Sequence, residues 1–201
     1  MRIVELIQRK RDGEELAPEE IVELVEAFAR DEVPESQMAA FLMAVFFSGM
    51  SDWEVSGLTE CLLRTAQPMD MSAIPGVKVD KYSTGGVGDK TSMIAAPLAA
   101  SAGVVVPMVV RRSLGYQGGA QDKLESIPGF RTDLSVDEYR TQLNQTGLVF
   151  LAEKPDMVPI ENKLSALRQS TGTVESIPLM AASTMARKLN AGVDAMVIDV
   201  K

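Results

Sequence analysis

Histidine is absent from all 201 residues, so any reaction assigned to this chain must proceed without an imidazole acid or base. Cysteine occurs once, at Cys61, which excludes an internal disulfide; set in an apolar helical pattern, it reads as a small buried hydrophobe. Long apolar runs are missing too. The longest, residues 38–47, is too short to span a bilayer, and the start Met1-Arg2-Ile3-Val4 lacks a signal peptide's apolar segment. These absences lead to the expectation of a cytoplasmic protein with no membrane partner. An excess of positive charge is also lacking: the formal charge is −8, which argues against a nucleic-acid partner. Lysines and arginines around 78–90 and 111–123 nevertheless form local basic clusters. With 46% hydrophobic residues, the chain is able to bury a core in one large or two small domains.

The first 66 residues read as helices. Pro18 suits a first helical turn, and Ile21, Leu24, Val25 and Phe28 follow at helical spacing. Residues 34–48 are apolar nearly all round, which predicts burial on all sides. Ser51-Asp52-Trp53-Glu54 has the spacing of a capping box and opens a helix to about residue 65. Beyond a turn-rich connector at 68–76 the pattern changes. Residues 77–80, 104–110, 147–151 and 194–200 read as strands, the second and last as buried ones, with Pro107 marking a bulge or an end position. Helices at 91–102, from Ser135 onward, at 161–169 and at 178–190 alternate with them, which implies parallel strands in an α/β layer.

Between the first strand and its helix lies Lys81-Tyr82-Ser83-Thr84-Gly85-Gly86-Val87-Gly88-Asp89-Lys90-Thr91-Ser92. Glycines at 85, 86 and 88 allow close approach to the backbone, and hydroxyls and lysines flank them, as in an anion site. The bland alternative is a tight strand-to-helix connection. The stretch is neither a P-loop nor a dinucleotide fingerprint. A second glycine-rich run, residues 111–120, leaves the second strand at its C-terminal end, where open α/β sheets place ligands. Its Arg111 and Arg112 either hold an anion or pair with nearby carboxylates. Ser183 and Arg187, four residues apart, share a helix face, and Arg168 lies on the preceding helix.

These stretches, with Leu114-Gly115-Tyr116-Gln117-Gly118-Gly119, Asp122-Lys123-Leu124-Glu125-Ser126-Ile127-Pro128-Gly129-Phe130 and Thr173-Val174-Glu175-Ser176-Ile177-Pro178-Leu179, resemble the thymidine and pyrimidine-nucleoside phosphorylases. The likeness runs from Met1 to Lys201 and corresponds to the N-terminal part of that family. It implies a nucleoside phosphorylase-type α/β fold, truncated at the C-terminus, with an all-helical lobe and a mixed α/β lobe. Residues 1–66 and 161–191 would form the helical lobe, with 67–160 and the final strand, 192–201, in the α/β lobe. The resemblance further implies a homodimer, a nucleoside substrate, phosphate as co-substrate, and neither cofactor nor metal.

Carried over position by position, Lys81, Ser83 and Ser92 fall on the family's phosphate site, beside Gly85, Gly86 and Gly88. Arg168 and Ser183 fall on its base site. Other contacts are altered. Tyr82 and Tyr116 stand where the family has histidines, Val110 and Ala120 where it has phosphate-binding serine and threonine, and Gln169 where it has an acidic residue. Arg187 replaces the base-contacting lysine, and Arg111 replaces a glycine. Arg111 would then supply a bidentate charge in place of the lost neutral donors. The resemblance therefore implies either a phosphorylase-like pentosyltransferase with an altered site and reduced activity, or a relative that binds without turnover. A fragment of a longer protein is the third reading.

Overall fold

The computed structural model describes residues 2–84, 90–112 and 118–200. It divides into two compact units: Met1–Gln67 with Pro155–Arg187, and Pro68–Lys154 with Lys188–Lys201. The second helical stretch thus runs over Pro155–Arg187 rather than 161–191.

The helical unit holds α1 (Ile3–Arg11), α2 (Pro18–Ala29), α3 (Glu35–Ser48), α4 (Asp52–Arg64), α8 (Pro159–Thr171) and most of α9 (Ile177–Asn190). The capping box at α4 forms: the Glu54 amide donates to Ser51 Oγ at 3.3 Å, and the Ser51 amide donates to Glu54 Oε2 at 2.7 Å. Glu54 is fully buried and does more than cap. It also accepts from the Leu16 amide at 2.9 Å and from Lys10 Nζ at 2.7 and 2.9 Å, so one carboxylate ties α1, the α1–α2 turn and α4 together. Gly57 sits where α4 meets the start of α2; a Cβ there would lie 2.8 Å from Pro18 Cβ, so only glycine permits this approach. The core joins Ile21, Leu24 and Phe28 to Met38, Phe41, Leu58, Leu164 and Ala182. The burial expected on all sides of α3 fails along one face, where Ser36, Ala40 and Phe47 are exposed.

Cys61 is fully buried in this core, and its desolvation pushes the thiol from an ordinary 9.0 up to about 11. The raised value means that the folded state favours the protonated thiol. Its contribution to stability is complete below pH 9 and is lost as the pH rises through about 11. Iodoacetamide at pH 8 is expected to leave Cys61 unmodified in the native protein and to alkylate it in 6 M guanidinium, as read by mass spectrometry. Rapid native labelling would contradict this burial.

The α/β unit contains β1 (Val79–Ser83), β2 (Val106–Val110), β3 (Leu148–Ala152) and β4 (Ala195–Asp199), with α5 (Thr91–Ser101), α6 (Ala120–Glu125) and α7 (Val136–Thr146) in the connections. All pairings are parallel. β1 pairs with β4, Val79 opposite Ala195 through Ser83 opposite Asp199, and β2 pairs with β3, Val106 opposite Leu148 through Val110 opposite Ala152. Among the described residues a single bridge, Lys78 to Val105, joins the two pairs. Pro107 explains why it stops there. The Val105 amide points to β1 and that of Val106 to β3, so the nitrogen of Pro107 faces β1 with no hydrogen to give. The Lys81 amide, which would answer Pro107, donates to Asp80 Oδ1 at 2.6 Å instead. Pro107 therefore marks neither a bulge nor a strand end; it lies inside β2 and ends the pairing with β1.

Three further expectations are corrected. The first strand extends through Lys81, Tyr82 and Ser83, because β4 supplies a partner for each. Those residues therefore belong to the strand rather than to the glycine loop. The final strand forms but is not buried: Val197 and Ile198, which point to opposite faces of the sheet, are both exposed, so neither face of β4 is fully covered, and no strand among the described residues pairs along its second edge. The expected helix from 178 to 190 begins one residue earlier, at Ile177. Gly192 then turns the chain from α9 into β4 with φ +69°; a Cβ there would lie 2.6 Å from the Met69 carbonyl oxygen.

Candidate functional site

In the α/β unit, β1 and the first turn of α5 bring two of the expected anion-binding residues together. Lys81 Nζ donates to Ser92 Oγ at 3.0 Å and to Thr91 Oγ1 at 3.3 Å. It also pairs with Asp199 of β4 at 2.9 Å, so the ammonium already faces a carboxylate. Ser92 is buried, whereas Ser83, two residues along β1 from Lys81, is half-buried on the same strand face. Gly85, Gly86 and Gly88, and likewise Tyr116, lie outside the described residues.

Arg111 and Arg112 follow β2 and part ways. Arg112 is exposed and pairs with Asp122 at 2.8 Å and Glu125 at 2.6 Å, so for this residue carboxylate pairing is what the structure holds. Arg111 is half-buried; desolvation lowers its pKa, while Glu153 and Tyr82 act in the opposite sense. Burial likewise raises the pKa of Glu153 against the opposing influence of Arg111 and Lys188. Val110 is part of the apolar core and Ala120 opens α6, and neither side chain donates a hydrogen bond. Tyr82 lies on β1 with its ring 6.0 Å from Lys188 Nζ. That ammonium is buried, donating to Asp80 Oδ2 at 2.7 Å and to the Val109 carbonyl at 3.1 Å. Neither Lys188 nor Asp80 stood out in the sequence.

In the helical unit, the three residues aligned with a base site do different work. Arg168 is no surface charge, being only 4% exposed. Its Nε donates to the Thr173 carbonyl at 3.3 Å, Nη2 to Val174 at 2.5 Å and Nη1 to Leu179 at 3.4 Å. The guanidinium thus holds the turn between α8 and α9. Ser183 and Arg187 share a face of α9 as their spacing required, and both meet Glu161 of α8. Ser183 Oγ donates to Glu161 Oε1 at 2.5 Å, as does Ser165 Oγ at 2.5 Å, and Arg187 forms an ion pair with Glu161 Oε2. Arg187 also reaches Ser183 Oγ, Ser165 Oγ and Asn162 Oδ1, each at 3.4 Å.

Glu161 was missed in the sequence. The readable signal was the spacing of Glu161, Ser165 and Arg168, which puts three polar groups on one face of α8. Beneath the network lies a cavity of about 20 Å³, lined by Val25, Met38, Phe41, Leu164 and Leu179 together with Glu161, Arg168 and Ser183. That volume has room for one water molecule.

The chain thus combines a helical bundle discontinuous in sequence with a parallel α/β unit carrying a lysine–serine cluster. The chain belongs to the glycosyl transferase family: residues 4–66 match its helical bundle domain and 76–201 its a/b domain. Among relatives, the pyrimidine-nucleoside phosphorylases of Geobacillus stearothermophilus and Bacillus subtilis (strain 168) are each 45% identical over 201 residues. These alignments cover 100% of this chain and 46% of each relative, so the chain spans about half their length. The crystal structure of anthranilate phosphoribosyltransferase from Thermus thermophilus superposes with a TM-score of 0.73 at 25% identity, covering 97% of this chain and 58% of that one. The resemblance read from the motifs and the mixed architecture are both borne out. No helix among the described residues is long and apolar enough to cross a membrane.

Proposed function

We propose that this chain is a pyrimidine-nucleoside phosphorylase-like pentosyltransferase polypeptide with an altered anion site and reduced turnover. The observation that carries this reading is the 45% identity with pyrimidine-nucleoside phosphorylases along all 201 residues. The reaction is phosphorolysis. A phosphate oxygen bonds to the anomeric carbon as the glycosidic C–N bond breaks, giving a pentose 1-phosphate and a base anion that takes a proton from solvent. Lys81 and Ser92 hold phosphate, with Ser83 and Arg111 beside them, while Ser183 and Arg187 stabilise the departing base. The 3.0 Å contact between Lys81 and Ser92 supports the first assignment, and the shared α9 face supports the second. A cytoplasmic homodimer joined through the helical unit completes the proposal; the exposed Phe47 and Trp53 offer apolar surface for it.

Turnover is reduced because two phosphate donors are gone. Each missing hydrogen bond, at Val110 and Ala120, costs about 1–3 kcal/mol, or together about 30-fold to 10⁴-fold in rate. Release of free base from thymidine and uridine, with and without phosphate, tests this. Phosphate-dependent release far below the common range of about 1–1,000 per second is expected, and a kcat within that range overturns the reading of an impaired site. Tyr82→His alone is not expected to restore it, since both donors remain missing. The Lys81–Asp199 pair favours a second reading, a relative that binds a nucleoside without turnover. Base binding with no phosphate-dependent release would select that one.

A further inference from the structure

Glu161 is 1% exposed, yet it sits at the centre of a polar cluster that joins α8 to α9 through two serines and an arginine. An ionised carboxylate accepts hydrogen bonds and donates none, and a serine hydroxyl has a single hydrogen. The Arg187 guanidinium beside Glu161 favours the ionised form. Ser183 therefore commits its hydrogen to Glu161 Oε1 at 2.5 Å, while its oxygen receives Arg187 Nη1 at 3.4 Å. Toward any further group, Ser183 acts as an acceptor. Arg187, tethered by the same carboxylate, acts as a donor.

We propose that Glu161 is a positioning residue: it fixes Ser183 as an acceptor beside Arg187 as a donor, and so selects a base edge bearing a ring N–H next to a carbonyl. A base whose corresponding ring nitrogen is bare presents two acceptors to this pair and is rejected, because Ser183 has no hydrogen left to offer it. The inference rests on the reading of Ser183 and Arg187 as a base site. It adds a residue that never touches the base but determines which hydrogen-bonding pattern the base must carry.

Glu161→Gln separates this role from simple support. Arg187 requires an acceptor, so the carboxamide oxygen turns toward it and the amide NH₂ turns toward Ser165 and Ser183. Both serines then become acceptors from Gln, and the hydrogen of Ser183 is released toward the site. Glu161→Asp keeps the carboxylate and serves as the conservative variant. Calorimetric titration of the whole chain with uridine and with cytidine, without phosphate, reads the ratio of their affinities, since with N1 bonded to ribose only N3 can supply or lack the ring N–H. Partial unfolding of a variant removes sites for both ligands alike and leaves that ratio unchanged.

The expected result is a preference for uridine of about tenfold or more in the parent protein. It should persist within about threefold in Glu161→Asp and collapse to about twofold or less in Glu161→Gln. Uridine binding with an unchanged ratio in Glu161→Gln overturns the role of Glu161 and leaves the base site standing. An equal collapse in Glu161→Asp also overturns it, since a generic packing role would then suffice. Absence of binding by either nucleoside to the parent protein overturns the base-site reading and this inference with it.

Discussion

Glu54→Ala is expected to cost the helical unit about 3–5 kcal/mol, the range for removing one partner of a buried ion pair. The substitution leaves the Lys10 ammonium, 3% exposed, without the carboxylate it meets at 2.7 and 2.9 Å. It also strips the Leu16 and Ser51 amides of their acceptor. Glu54→Gln should cost less, because its carboxamide oxygen still accepts from one of those amides. Thermal unfolding followed by circular dichroism checks the order: parent most stable, Gln intermediate, Ala least. An Ala variant melting with the parent would show that the pair contributes nothing.

Arg168→Ala is expected to be nearly as damaging, at about 3 kcal/mol or more. It deprives the Thr173 and Val174 carbonyls of a donor, at about 1–3 kcal/mol each, while the Leu179 carbonyl, inside α9, keeps its helical donor and loses only a second one. Arg168→Lys should recover only part of this, since an ammonium on a flexible stem does not reproduce a planar fork reaching three carbonyls. Hydrogen exchange at residues 172–179 provides the local measurement. Faster exchange there, with a lower melting temperature, is the expected outcome. A residue whose sole task was to touch the base would lose binding on substitution and leave both measurements unmoved.

What the sequence made legible was mostly local. The capping boxes at Ser51 and Ser135 place helix starts through contacts three residues apart, and both form. Ser183 and Arg187 share a face because helical geometry requires it. The misses involve distance along the chain. An apolar run such as 194–200 reads the same whether or not anything covers it, so the exposure of Val197 and Ile198 left no mark. Arg168 works on carbonyls five, six and eleven residues ahead, across a chain reversal whose geometry is not written in the spacing. Glu161 was visible as part of a polar face on α8, but its pairing with α9 depends on how two helices pack. Motif resemblance supplied Lys81 and Ser92; it did not reveal that Asp199 meets the same ammonium.

The proline within β2 gives the sheet a mechanical character. A continuous parallel ladder transmits strain from strand to strand through evenly spaced hydrogen bonds, whereas this one is interrupted after the Lys78–Val105 bridge. The β1–β4 and β2–β3 pairs are two ribbons meeting along a crease, and beyond the bridge Lys188, bonded to Asp80 of one and to the Val109 carbonyl of the other, spans it. Lys81 and Ser83 ride on one ribbon, while Val110, leading into Arg111, ends the other. A ligand gripping residues from both would act as a splint across the fold line.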